Sequence, residues 1–81
     1  MRLFYTERFR KSYESAPPNI QRAFDRRAVF LSGDLRHPSL RSKKYDEARG
    51  IWQARVNVGW RFYFTIEGDT YYLLDIIPHP K

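Results

Sequence analysis

Eighty-one residues carry fifteen Lys/Arg against nine Asp/Glu, a formal net charge of +6, with six Phe, six Tyr, two Trp and no cysteine. That length fits one domain, 1–81, with enough bulky apolar material for a core, and the missing cysteines exclude a disulfide framework or a thiolate metal site. No apolar run reaches the length of a membrane span and no secretory leader is visible, so the expectation is a cytoplasmic protein with no membrane anchor. His37 and His79 lie far apart without ligand spacing, so neither a metal nor a cofactor is expected. The charge is uneven. Residues 1–45 hold eleven Lys/Arg and four Asp/Glu, whereas residues 46–81 hold four and five. The span Arg36–Lys44 has four cations and no acid, which is either the footprint of a polyanion partner or a solvated basic loop.

In chain order, Leu3-Phe4-Tyr5 predicts a short strand. Thr6 follows as a helix N-cap with Glu7 in the first turn, and Phe9 and Tyr13, four apart, share one face. Pro17-Pro18 closes that helix and opens the next, because proline is tolerated in a first helical turn. The second helix sets Ile20, Ala23, Phe24, Phe30 and Leu31 on one stripe, with Arg27 as its single charge, read as snorkelling at the edge. Gly33 is the stop. Arg36–Ser39 is loop, Leu40–Tyr45 a second strand, and Ile51–Val56, Trp60–Glu67 and Thr70–Ile77 a meander. The expected class is α+β: an N-terminal strand and an antiparallel helical hairpin packed on one face of a curved antiparallel sheet.

Strand alternation then sorts the side chains. Trp52, Ala54 and Val56 point one way and Gln53 and Arg55 the other; Trp60, Phe62, Phe64 and Ile66 share a face opposite Arg61, Tyr63 and Thr65. One side of the sheet suits a core, and the other displays guanidinium and phenol groups, whose forks suit phosphate. At Glu67-Gly68-Asp69-Thr70 a plain two-residue turn would pair Phe62 with Asp75 and mix the two faces. A bulged or three-residue turn is therefore expected, with Tyr72, Leu74 and Ile76 on the core face. In one such register Arg61 lies opposite Asp75, which offers an ion pair as the alternative to phosphate binding.

A strand, a helical hairpin with a Pro-Pro turn and a final meander form an ordered pattern with several local signatures. They are His37-Pro38-Ser39-Leu40, Gly50-Ile51-Trp52-Gln53-Ala54-Arg55-Val56, Trp60-Arg61-Phe62, Ile66-Glu67-Gly68-Asp69-Thr70 and Ile77-Pro78-His79. Over essentially its full length the chain resembles the RelE/ParE superfamily of bacterial type II toxin–antitoxin toxins, the RelE-like branch in particular. The resemblance implies a toxin, held by a cognate antitoxin, that inhibits translation as a ribosome-dependent mRNA endoribonuclease using the ribose 2′-hydroxyl as nucleophile. Its partners would be that antitoxin, the ribosome and messenger RNA. Such chemistry needs a base, an acid for the leaving 5′-oxygen, and cations for the phosphorane. Carried across, Arg61, Arg55 and His79 are the catalytic candidates, and Lys43, Lys44, Arg41, Tyr63 and Gln53 the nucleic-acid-binding ones.

The chain also departs from the pattern. Gln53 stands where the best-known RelE-like toxins have lysine, and the C-terminal tyrosine of many active members is absent. Glu47 lies near, without clearly matching, the carboxylate of the YoeB-like branch. Two further readings stay open: a ParE-like inhibitor of DNA gyrase, and a catalytically inactive RelE-fold binding protein whose sheet arginines are tied up by carboxylates.

Overall fold

The helical and alternating patterns resolve into seven elements in a computed structural model that describes Met1 to His79. They are β1 (Arg2–Tyr5), α1 (Glu7–Ser15), α2 (Pro18–Gly33), β2 (Lys43–Asp46), β3 (Ile51–Asn57), β4 (Trp60–Glu67) and β5 (Thr70–Pro78). The strands form one sheet in the order β1-β5-β4-β3-β2. Strands β2 to β5 are antiparallel neighbours, as the meander requires, but β1 enters at the edge parallel to β5. The sheet is thus mixed, not wholly antiparallel: residues before the hairpin fix that β1 is a strand, not which neighbour it joins.

Thr6 starts α1 by accepting from the Phe9 amide at 3.2 Å, while its hydroxyl donates to the Leu73 carbonyl at 2.7 Å. One side chain therefore caps the helix and ties it to β5. Pro17 and Pro18 occupy the N-cap and first turn of α2, whose buried side is Ile20, Ala23, Phe24, Ala28 and Leu31. Phe9, Tyr13 and Phe24 join the helices edge to face or tilted, and Phe24 meets Phe62 of β4 at 5.1 Å in a T arrangement. The core is closed by Ala54, Val56, Phe62, Phe64, Leu73 and Ile76, all essentially without exposure. Leu40 is not in a strand. It is buried in the core, and its carbonyl accepts from the Arg55 amide at 2.7 Å, so β2 begins only at Lys43.

The β4–β5 hairpin solves the parity problem differently from the turn expected. Glu67 pairs directly with Thr70 across a two-residue Gly68-Asp69 turn, with Gly68 at φ +58°, as turns led by glycine need. The extra residue sits farther along, at Leu74, where the register steps from Phe64↔Leu73 to Tyr63↔Asp75. Tyr71 and Leu73 face the core before this bulge and Ile76 after it, while Tyr72 and Leu74 are only half-buried on the other side. Phe62 consequently meets Ile76, and Arg61 meets Ile77. The Arg61–Asp75 pair does not form. Asp75 is held instead by Arg8, at 3.1 Å, and by the Ser12 hydroxyl, both on α1.

Candidate functional site

The site is built on the sheet face away from the core, at the β3–β4 turn. Arg55 and Arg61 stand directly opposite each other, because the register bulge of β3 falls just after Arg55 and leaves this pair intact. Like charges facing across a sheet oppose folding, so the pair asks for a reason. Neither is offset by a carboxylate: among the described residues the ion pairs belong to Arg2, Arg8, Lys11, Lys44 and Arg49. Both guanidinium groups are parked on main-chain carbonyls of the turn. Arg61 Nη1 donates to Asn57 O at 2.7 Å and Trp60 O at 2.9 Å, and Arg55 Nε donates to Asn57 O at 3.3 Å. Burial pushes the Arg61 guanidinium below its usual range, and Arg55 and Arg41 add to the effect, with Tyr63 opposing it. Arginine stays charged regardless. What results is concentrated positive charge with no acidic partner among the described residues.

These two arginines line a cleft of about 240 Å³ together with Arg41, Lys43, Gln53 and His79. That is less than the ~300–1,000 Å³ usual for small-molecule sites, and no acidic side chain lines it. Arg41 reaches the cleft from a left-handed backbone, φ +47°, a conformation that costs a non-glycine residue about 1–2 kcal/mol. His79 is exposed, but its amide donates to Gly59 O at 2.7 Å, which fixes the end of β5 beside the same turn. The turn is itself braced by Asn57 Oδ1, which accepts from the Gly59 amide at 2.9 Å.

Not every residue singled out in the sequence comes to this cleft. Lys43 pairs with Gln53 and shares its face, but Lys44, one step on, pairs with Trp52 on the opposite face. Its ammonium lies 5.1 Å from the Trp52 ring centre and 3.7 Å from Glu47 Oε2. Gln53 is only 6% exposed, and its Nε2 donates to Tyr63 Oη at 3.0 Å, so it walls the cleft and is not a free contact. Tyr63 leans against Tyr45, centres 4.9 Å apart, and faces a neighbouring hollow with Leu74 and Asp75. Arg27, the one charge on the apolar stripe of α2, is read from the sequence as snorkelling at its edge and not as a site residue. It lines a further hollow that also contains Arg41 and Arg55. Its position among Ile20, Ala23 and Phe24 was the available signal.

A somewhat larger hollow, about 310 Å³, opens between the helices around Tyr5, Phe9 and Phe24, far from this cationic chemistry in composition. Tyr13 donates there to Asp25, and Arg10 is its one basic residue. Among the described residues no group of three or more His, Cys, Asp or Glu is placed to hold a metal ion, and no helix is long and apolar enough to cross a membrane.

No family model matches the chain, and no curated protein matches it. Solved structures do. A YoeB/ParE toxin from Agrobacterium tumefaciens is 14% identical, with a TM-score of 0.82 over 99% of this chain and 100% of its own. The toxin–antitoxin complex RelBE2 from Mycobacterium tuberculosis gives 26% identity and a TM-score of 0.70 over 96% and 90%. The intact E. coli RelBE toxin–antitoxin complex gives 11% and 0.77 over 99% and 98%. By these matches over nearly its whole length, the chain has the fold of the RelE/ParE superfamily of toxins.

Proposed function

We propose that the protein is the toxin of a type II toxin–antitoxin pair and acts as a ribosome-dependent endoribonuclease on messenger RNA. The observation that carries this reading is the Arg55–Arg61 pair: two opposed guanidinium groups, unneutralised by any acid among the described residues, in an open cleft of a RelE-like sheet. An inactive, ion-paired sheet face would have had carboxylates at these arginines. Matching solved structures that are themselves toxin–antitoxin complexes support a cognate antitoxin as partner.

In the proposed reaction the RNA 2′-hydroxyl gives up its proton to solvent water in the open cleft, and its oxygen attacks the adjacent phosphorus, forming a P–O2′ bond as the P–O5′ bond breaks. The products are a 2′,3′-cyclic phosphate and a 5′-hydroxyl. Arg55 and Arg61 leave their turn carbonyls, or share their free N–H groups, to bind the phosphate oxygens that gain charge. His79, an exposed residue lining the cleft, is placed to donate a ring N–H proton to the leaving 5′-oxygen. Arg41 and Lys43 hold the strand through its backbone, with affinity that falls as salt rises. Gln53 fixes the cleft wall and takes no part in proton transfer, because its amide is committed to Tyr63.

Mapping transcript ends after brief induction tests the proposal. Wild-type protein is expected to produce new 5′-hydroxyl ends within coding regions, and Arg61→Ala to produce none while remaining folded. Intact transcripts accompanied by a DNA-damage response would replace this reading with gyrase inhibition.

A further inference from the structure

Arg27 presents an unusual combination of placement and bonding. It lies on α2 between buried Phe24 and Ala28, yet its Nε is buried and donates to nothing among the described residues. Buried donors without an acceptor are rare in folded proteins, and each asks for an unseen partner. Beside it opens a hollow of about 480 Å³ whose wall includes Arg27, Ser39, Arg41, Arg55 and Asn57, with no acidic side chain. Arg41 and Arg55 also line the cleft around Arg61, so the two hollows adjoin at these residues. Arg41 holds this shared position from its left-handed backbone. Three arginines gathered from a helix, a loop and a strand, none in an ion pair among the described residues, make an anion site.

We infer that Arg27, with Arg41 and Arg55, forms a second phosphate subsite that grips the phosphodiester next to the one held at Arg61. The inference rests on the RNA-cleaving reading above. It adds that the bound strand runs from the Arg61 cleft over Arg55 toward α2, so that affinity depends on more than one phosphate. Arg27 is a binding residue here, not a catalytic one.

The test uses full-length protein and 2′-O-methyl RNA, which cannot be cut. Two probes are titrated: a dinucleotide with one phosphate and a pentanucleotide with four. Arg27→Met keeps the stem and removes the charge; Arg27→Gln serves if that variant fails to fold. The neutral variant is expected to bind the dinucleotide within about twofold of wild type and the pentanucleotide some five- to tenfold more weakly. Its log affinity against log salt should be shallower by about 0.7, the value for one single-strand phosphate contact. Arg27→Lys should restore the slope. An unchanged pentanucleotide affinity and slope would overturn the subsite, as would equal losses for both probes, which would mean Arg27 acts only by propping Arg55. Arg61→Met separates the layers: pentanucleotide binding that survives it but not Arg27→Met keeps the subsite and removes the reading beneath it. No pentanucleotide binding by wild type overturns the subsite, and cleavage on programmed ribosomes then decides the reading beneath it separately.

Discussion

Replacing Arg61 with methionine separates a functional arginine from a structural one. In the folded protein Arg61 donates two short hydrogen bonds to turn carbonyls, at 2.7 and 2.9 Å, and faces Arg55 across the ladder. Losing the hydrogen bonds costs about 0.5–1.5 kcal/mol each. Removing the opposed charge gives back about 0.7 kcal/mol if the groups lie ~6 Å apart in bulk water, and about 3 at an effective dielectric near 20. The two effects have opposite sign and similar size, and methionine keeps much of the apolar stem. Stability should therefore stay within about 1 kcal/mol of wild type, or roughly 4–8 °C in Tm for a domain this small. Binding of uncleavable RNA should fall at least about tenfold, with a salt slope shallower by about 0.7. Urea unfolding followed by circular dichroism, and fluorescence anisotropy at several salt concentrations, measure the two quantities. A destabilisation of 3 kcal/mol or more, or RNA affinity equal to wild type, would refute the argument that this pair is kept for anion binding.

Phe62→Ala should cost about 3–5 kcal/mol in urea unfolding, because Phe62 has no exposure and its ring contacts Phe24 and Phe64; a loss under 1 kcal/mol would mean the core is not organised around β4. Arg41→Asn should raise stability by up to about 1 kcal/mol, since asparagine tolerates φ +47° better, while weakening RNA binding; lower stability would contradict the strain assignment. The phenols of Tyr5, Tyr13 and Tyr71 are held above their usual range, chiefly by burial, with Asp25 adding at the first two and Asp34 at the third. Their folded state holds protons more tightly, so the stability they confer is complete below the ordinary value of about 10 and is lost as pH rises through the raised values. The urea midpoint should drop as pH rises above about 10, and less steeply in Tyr13→Phe.

Much of this architecture was written in local pattern. Alternation through β3 and β4 put Ala54, Val56, Phe62 and Phe64 inside and Arg55 and Arg61 outside, and Pro17-Pro18 marked the helical hairpin. The parity argument at Glu67–Thr70 required one extra residue, but parity fixes a count and not a position. The bulge could fall anywhere before Phe62 had to meet Ile76, and it fell at Leu74. Partners distant in sequence were illegible for the same reason. Nothing near Asp75 announces Arg8 and Ser12, 67 and 63 residues away, and nothing in Arg2–Tyr5 announces a parallel neighbour. Lys43 and Lys44 looked like one patch because adjacency was given more weight than alternation, which sends them to opposite faces. Arg27 was visible as a charge on an apolar stripe, but the arginines that give it company come from a loop and a strand.

We propose that the cleft at Arg55 and Arg61, lined by no acidic side chain among the described residues, supports attack by an RNA 2′-hydroxyl on its neighbouring phosphate. Purified protein incubated with programmed ribosomes tests it, using one message with native ribose and one with a single 2′-deoxy substitution at the mapped cut. Cleavage of the first is expected, leaving a 2′,3′-cyclic phosphate and a 5′-hydroxyl, and none at that position in the second or with Arg61→Met. Equal cleavage of both messages, or intact native message on ribosomes that have bound the protein, would contradict it.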